Sequence, residues 1–214
     1  MLSRLLYGAR LSIGTTVAAS LGISLLGIVL GMLAGYFRGL VDTAISRIVD
    51  VLLAFPTFLL ALAVTGVLGP SLLNLTIAIV LVWWATYARV VRASILAERE
   101  KTYIEAARAA GASDWRILRA HLFPNIVAPV VVLTTLNMGS ILLGISALSF
   151  LGLGVRPPTA EWGGMLAEAK SYMGQAPYMM YFPGMAIFLM VLAFNLFGDG
   201  LRDALDPRTR RSFR

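Results

Sequence analysis

The sequence predicts an all-α polytopic membrane protein, a helical bundle that crosses a bilayer five times. The 214-residue chain is 58% hydrophobic and only 14% charged, whereas soluble domains carry about 25% charged residues. The charged residues are clustered, and they leave four long uncharged stretches at 11–37, 51–88, 120–155 and 171–198. Each stretch exceeds the roughly 20 apolar residues that a helix needs to cross the bilayer core.

The second uncharged stretch is long enough for two spans, and Gly69-Pro70-Ser71 forms a turn signal near its middle. We therefore predict a single transmembrane domain over residues 1–214. Its spans are expected at about 12–36, 48–68, 72–92, 125–150 and 178–198. The first span should stay in the membrane, because a signal peptide has an apolar region of only about 7–15 residues.

The distribution of basic residues predicts the orientation. Five spans place the chain ends on opposite sides, and Lys and Arg concentrate in cytoplasmic segments. A cytoplasmic C-terminus puts most of the 18 basic residues inside. The basic residues left outside are Arg4, Arg10, Arg156 and Lys170. Membrane orientation thus explains the net charge of +7, and we expect no nucleic-acid partner.

The segment 89–123, predicted to be cytoplasmic, favours a short helix, a sharp bend and a second helix. Its alanines have high helix propensity. Thr102 and Glu105 have the spacing of a capping box, and Gly111 is placed to end the helix that they begin. Ser113 and Asp114 can begin the second helix.

The longest predicted outer segment, 152–176, leaves two interpretations open. Arg156-Pro157-Pro158 cannot continue a helix, but the following EWGGMLAEAKSYM can form a short one. The segment is either a polar linker or a docking surface for an external partner.

The sequence lacks the motifs of the common membrane enzymes. It contains no G-x-x-x-x-G-K-S/T phosphate loop, no H-E-x-x-H and no G-x-S-x-G. One histidine and no cysteine argue against a metal site, so we predict neither a cofactor nor catalytic residues. The apolar stretches also lack ionisable residues for a proton relay. We expect the energy source on another chain, with a secondary carrier or channel as the alternative and a membrane enzyme as the third possibility.

The loop after the third predicted span carries a family pattern. The pattern is E-A-A, three residues, G, nine residues and I-x-L-P, and it resembles the EAA loop of binding-protein-dependent ABC importer permeases. The chain retains Glu105, Ala106, Ala107, Gly111 and Pro124 at this spacing. His121 and Phe123 stand where the family has apolar residues.

Further segments resemble the C-type permease of the dipeptide, oligopeptide and nickel subgroup. They are SRLLYGAR at 3–10, SFLGLGVRPPTAEWGGML at 149–166 and NLFGDGLRDALDPR at 195–208. In this subgroup a further span precedes the SRLLYGAR segment, so this chain is expected to be one helix short. The resemblance implies the type I ABC importer permease fold in a bacterial or archaeal cytoplasmic membrane.

The resemblance also implies partners and roles. The expected partners are a second permease, cytosolic ABC ATPase subunits and an extracytoplasmic solute-binding protein. Loop 98–123 would carry the ATPase-coupling helix, although Glu105 would otherwise serve only as a helix cap. Di- and oligopeptides are the implied substrates, with nickel chelates as the alternative. The polar span residues Thr134, Asn137 and Asn195 either line the path or hydrogen-bond neighbouring helices.

Overall fold

The computed structural model describes residues 1–155 and 157–205, and every regular element in these ranges is helical. In chain order the helices are α1 (Leu2–Phe37), α2 (Gly39–Ala54), α3 (Thr57–Leu68), α4 (Leu72–Glu98), α5 (Thr102–Ala109), α6 (Asp114–Arg116), α7 (Phe123–Leu148), α8 (Trp162–Ala169) and α9 (Tyr178–Leu205). Two π-helical segments, Ile117–Leu122 and Ser149–Leu153, flank α7. The basic C-terminal residues 206–214 and Arg156 lie outside the described ranges.

Helices α1, α4, α7 and α9 are long and apolar enough to cross a membrane. They cover the first, third, fourth and fifth predicted spans, and α4 and α9 continue for several residues beyond the predicted ends at 92 and 198. Helix α7, together with α6 and the two π-helical segments, forms one continuous helical run of 40 residues, Asp114–Leu153.

The second predicted span, 48–68, is not one continuous helix. It is formed by the end of α2 and by α3, which meet at an angle of 96°. Pro56 causes the break because proline lacks an N–H and disfavours helical backbone at the preceding residue. Phe55 is accordingly extended, with φ −100° and ψ 148°. The described residues thus contain four continuous spans, or five if the bent pair counts as one.

Ion pairs fasten α2 across α4. Arg92 forms a bidentate pair with Asp42, with Nη2 2.7 Å from Oδ2, and Arg89 lies 3.1 Å from Asp50. At a rise of about 1.5 Å per residue, the two acidic residues are about 12 Å apart along α2, while the arginines are about 4.5 Å apart along α4. The two ion pairs therefore fix α2 to α4 at two points.

Glycines bring α1 and α4 into close contact. Gly27, Gly31 and Gly35 lie on one face of α1, as their four-residue spacing predicts. A Cβ atom added to Gly27 would lie 2.3 Å from the Tyr87 Cβ, and one added to Gly31 would lie 2.7 Å from the Ala88 carbonyl oxygen. Neither site has room for a methyl group, so α1 and α4 form one tightly packed unit.

The other half of α1 carries a stripe of buried hydroxyls. Ser12, Thr16, Ser20 and Ser24 recur every four residues. The hydroxyls of Thr16, Ser20 and Ser24 each donate to the carbonyl oxygen four residues earlier at 2.7 Å. These bonds satisfy the polar groups inside the helix, as a dry membrane environment requires. The stripe continues from the glycines toward the end of the bundle that holds α8.

Candidate functional site

The residues of the EAA pattern lie on α5 and the turn that follows it. We call the end of the bundle that holds α5 and α6 the loop end, and the opposite one the α8 end. Helix α5 ends in a Schellman motif: the Gly111 amide donates to the Arg108 carbonyl at 2.9 Å, and the Ala112 amide to the Ala107 carbonyl at 3.0 Å. Gly111 has φ +79°, which favours glycine. The expectation that Gly111 ends the helix is confirmed.

The predicted capping box does not form. Lys101, not Thr102, occupies the N-cap position, and α5 has no side-chain cap hydrogen bond. The Lys101 carbonyl already accepts from the amides of Ile104 and Glu105, so Thr102 lies inside the helix, where its hydroxyl cannot cap the first turn. The second helix does begin after Ser113, but again without a side-chain cap.

Helix α5 has one buried and one open face. Ile104 is buried in the main apolar cluster with Ile117 and Leu118. Glu105 and Ala106 are exposed, and Ala107 is partly buried. Gly111 is exposed, and a Cβ atom added to it would meet no atom within 4 Å. The open face thus presents a carboxylate and a small side chain, with nothing in the described chain covering them.

The buried side of the loop is fastened to the last turn of α1 through Tyr36. The Tyr36 hydroxyl donates to Asp114 Oδ1 of α6 at 2.5 Å, and the Arg108 guanidinium of α5 lies 5.6 Å from the Tyr36 ring centre. Arg99, just after α4, donates to the carbonyl oxygens of Gly35 at 3.1 Å and Tyr36 at 2.8 Å. These bonds satisfy carbonyl groups at the C-terminus of α1.

A second contact joins α5 to α4 and α7 through Tyr103. Its hydroxyl donates to Glu98 Oε1 at 2.6 Å and accepts from Asn125 Nδ2 at 3.2 Å. Burial and the bond to Glu98 raise the pKa of Tyr103 to about 12. Pro124 is exposed in the first turn of α7, directly after the π-helical segment Ile117–Leu122. Its missing N–H removes one backbone donor from the continuous helical run.

Two of the three polar span residues lie together: Thr134 and Asn137 of α7 are both next to the buried Tyr87 hydroxyl of α4, whereas Asn195 lies apart. The Thr134 hydroxyl lies 2.7 Å from the Ser24 hydroxyl of α1 and lines a groove of about 450 Å³ between α1 and α7. Asn137 donates to the Leu133 carbonyl of its own helix at 2.8 Å. Asn195 is exposed on α9, toward Gly139 of α7.

At the α8 end, the segment after Pro158 forms a packed helix rather than a polar linker. Glu161 is completely buried at its N-cap, and its carboxylate accepts from the amides of Gly163 at 2.9 Å and Gly164 at 2.8 Å. Ser12 of α1 also donates to it at 3.2 Å, and Trp162 Nε1 donates to the Leu5 carbonyl at 3.0 Å.

The sequence prediction missed Glu161 and Ser12. The available signal was an acidic residue directly before a short helix, since Asp and Glu are stabilised at helix N-termini.

The described residues define a polytopic helical membrane protein with an exposed, anchored helix between two spans. The family described as "Binding-protein-dependent transport system inner membrane component" matches residues 27–211, and the chain belongs to this family. The family prediction from the EAA pattern is thereby confirmed.

Similar proteins are peptide and glutathione permeases. The chain is 47% identical over 208 residues to the glutathione transport system permease protein GsiD of Pectobacterium atrosepticum, covering 97% of this chain and 69% of the relative. It is 46% identical to the dipeptide transport system permease protein DppC of Alkalihalophilus pseudofirmus, covering 97% and 68%. It is also 46% identical to the di/tripeptide transport system permease protein DppC of Pseudomonas aeruginosa, covering 99% and 70%.

Solved structures share the fold. A chain of the inward-facing MetNI methionine ABC transporter superposes with a TM-score of 0.76 at 20% identity, covering 96% of this chain and 98% of that one. A chain from an amino acid ABC transporter crystallised with histidines gives a TM-score of 0.68 at 17% identity, covering 95% of each chain. The predicted type I ABC importer permease fold is confirmed, and a secondary carrier or channel is not favoured.

Proposed function

We propose that the chain is the permease subunit of an ATP-driven importer of short peptides. The observation that carries the proposal is its 46–49% identity, over nearly its whole length, to permeases of dipeptide, di/tripeptide and glutathione systems. A separate ATPase supplies the energy, a solute-binding protein delivers the peptide, and a second permease completes the path.

The open face of α5 is the proposed contact with the ATPase. Glu105 and Ala106 are exposed there, and the small side chain of Ala106 allows a partner surface to approach closely. The opposite face is held by Ile104 and by the contacts of Tyr36 and Tyr103. A helix that is fixed on one side and open on the other can transmit a push from a partner to the spans.

The groove between α1 and α7 is the proposed contribution of this chain to the path. Its described lining residues carry no charge. The lining includes Ser20, Ser24, Thr134 and Thr135, but their hydroxyls donate to carbonyl oxygens of their own helices, so the wall of the groove is largely apolar. A neutral, largely apolar wall can let a peptide pass without holding either charged terminus. Because Thr134 lines this groove, it is proposed to line the path. Asn137 and Asn195 do not line the groove and are proposed to stabilise helix contacts.

The proposed orientation places the loop end and the C-terminus in the cytoplasm. The chain has no native cysteine, so single cysteines can be labelled cleanly. Thr159 and Ala110 are both exposed and suit this test. A maleimide that cannot cross the membrane should label Thr159→Cys in intact spheroplasts, and should label Ala110→Cys only after permeabilisation. The reverse pattern would contradict the orientation.

Reconstitution with the partner subunits tests the transport function. Proteoliposomes should accumulate radiolabelled dialanine or glutathione only when ATP, the ATPase and the binding protein are present. Transport of a nickel chelate but of neither peptide would support the alternative substrate class. Accumulation by the chain without an ATPase would contradict the permease-subunit function.

A further inference from the structure

Tyr36 is the side chain through which α1 contacts the loop that follows α4. It is only 6% exposed, although it lies in the last turn of a long helix, beside an open loop. Its hydroxyl bonds to Asp114, its ring faces Arg108, and its carbonyl accepts from Arg99. One residue of α1 thus meets the end of α4, helix α5 and helix α6.

The loop is connected along the chain directly to α4 and α7, but not to α1. Helix α5 follows α4 after three residues, and α6 continues through the π-helical segment Ile117–Leu122 into α7. By contrast, the chain from α1 to the loop runs through α2, α3 and α4. Movement of the loop therefore reaches the end of α1 only through side-chain contacts or through the packed α1–α4 face.

The α1–α4 face is tightest along its glycine stripe, at Gly27, Gly31 and Gly35. A Cβ atom added at any of these glycines would lie less than 3 Å from an atom of α4, so α1 cannot slide freely along α4. Because packed interfaces change between discrete arrangements, a displacement of Tyr36 would move α1 and α4 together. The Ser24–Thr134 contact then connects the same unit to α7 across the groove.

We propose that Tyr36 is a positioning residue that makes α1 follow the coupling helix during each ATP cycle. The inference rests on the coupling role proposed for α5. The Tyr36 hydroxyl to Asp114 bond holds α6 against α1, and the Arg108 contact holds α5 against the same ring. Losing the hydroxyl leaves the ATPase contact face intact and weakens its connection to α1.

The test compares variants of Tyr36 and Asp114 in the reconstituted complex. Tyr36→Phe keeps the ring and removes the donor, Asp114→Ala removes the acceptor, and Asp114→Asn keeps an acceptor oxygen. The matched control is Arg38→Gln, which breaks the neighbouring exposed ion pair with Glu100, 3.1 Å long. ATPase association, ATP hydrolysis and uptake of radiolabelled dialanine are measured separately.

Tyr36→Phe and Asp114→Ala should keep ATPase association and hydrolysis within about twofold. They should lower the dialanine taken up per ATP by about tenfold, the effect expected when a hydrogen bond to a charged group is lost. The uptake per ATP of the double variant should be no lower than that of either single variant. Asp114→Asn keeps an acceptor oxygen but loses the charge, so its uptake per ATP should fall between those of wild type and Asp114→Ala. Arg38→Gln should behave as wild type.

A second readout does not depend on the substrate. Spin labels at Leu21 of α1 and Leu196 of α9, both exposed, should report an ATP-dependent distance change that Tyr36→Phe reduces. Unchanged uptake per ATP, additive effects in the double variant, or an α1 that does not move with ATP would each overturn the inference. Absence of dialanine uptake in wild type, with the distance change intact, would instead contradict the peptide substrate.

Discussion

The two ends of α1 hold their neighbouring short helices in different ways. At the α8 end, Ser12 bonds to the Glu161 carboxylate, and both side chains are completely buried. At the loop end, Tyr36 bonds to Asp114, which is exposed. Helix α8 is buried along much of its length, whereas α5 buries Ile104 and leaves Glu105 open.

This difference separates stability from coupling. A buried hydrogen-bonded carboxylate is costly to disturb because its partners lose their bonds without gaining water. An exposed helix face contributes little to folding, yet it is available to a partner. We therefore expect changes at the α8 end to reduce folded protein, and changes at the loop end to reduce transport by folded protein.

The largest effect is expected for Gly163→Ala. A Cβ atom there would lie 2.4 Å from the Ser146 carbonyl oxygen and 2.7 Å from the Ser146 Cα, so the backbone of α7 or α8 must shift. We expect a loss of at least about 3 kcal/mol, the upper range for overpacking, seen as low yield and a lower melting temperature in detergent.

Gly164→Ala is the matched control for Gly163→Ala. Its added Cβ would approach Glu161 Oε2 at 3.6 Å, which is an ordinary contact. Equal stability of the two variants would contradict the close packing of α8 on α7.

The next largest effect is expected for Glu161→Ala. The change leaves the Gly163 and Gly164 amides and the Ser12 hydroxyl without their acceptor. Loss of an N-cap and of buried bonds should cost about 2–3 kcal/mol, measured by thermal unfolding. Glu161→Gln keeps one acceptor oxygen and should cost less.

Glu168→Gln is the control at the same end of the bundle. It disrupts a partly exposed pair with Arg4, 2.8 Å long, and should cost no more than about 1 kcal/mol. A larger loss for Glu168→Gln than for Glu161→Ala would show that the exposed pair, and not the buried carboxylate, holds α8.

At the loop end, Gly111→Ala should have an intermediate effect on stability. The added methyl group meets no neighbour within 4 Å, so the change acts only through the φ of +79°. Left-handed backbone costs a residue with a Cβ about 1–2 kcal/mol. We expect normal membrane insertion and reduced uptake per ATP in the reconstituted complex. Gly174→Ala, with equally open surroundings and no positive φ, should leave uptake unchanged.

The sequence predicted the parts of this fold that depend on hydrophobic length and residue size. Uncharged stretches located α1, α4, α7 and α9, and the four-residue spacing of Gly27, Gly31 and Gly35 located the face that packs against α4. Both features are local patterns along one helix. Gly111 was predictable for the same reason, because a glycine after an alanine-rich helix is a local stop signal.

Two local features were predicted wrongly, and one contact between distant segments was not predictable. Pro56 is visible in the sequence, but the length of the apolar stretch around it favoured the prediction of one continuous span. The capping box failed because α5 begins at Thr102, one residue earlier than predicted, with Lys101 at the N-cap. Lys101 also pairs with Glu98 at 2.6 Å. The Ser12–Glu161 contact joins residues far apart in the chain, and no local spacing relates them.

The smallest effect on stability is expected for Glu105→Ala. Glu105 is exposed and makes no cap bond at the start of α5, while alanine has higher helix propensity. Stability should therefore stay within about 0.5 kcal/mol of wild type, the range of ordinary surface changes. If the open face of α5 binds the ATPase, association or uptake per ATP should nevertheless fall. Glu100→Ala is the control, because Glu100 is also exposed but pairs with Arg38. Normal association and uptake in Glu105→Ala would show that this carboxylate takes no part in ATPase coupling, and a loss of stability would show that it supports α5 after all.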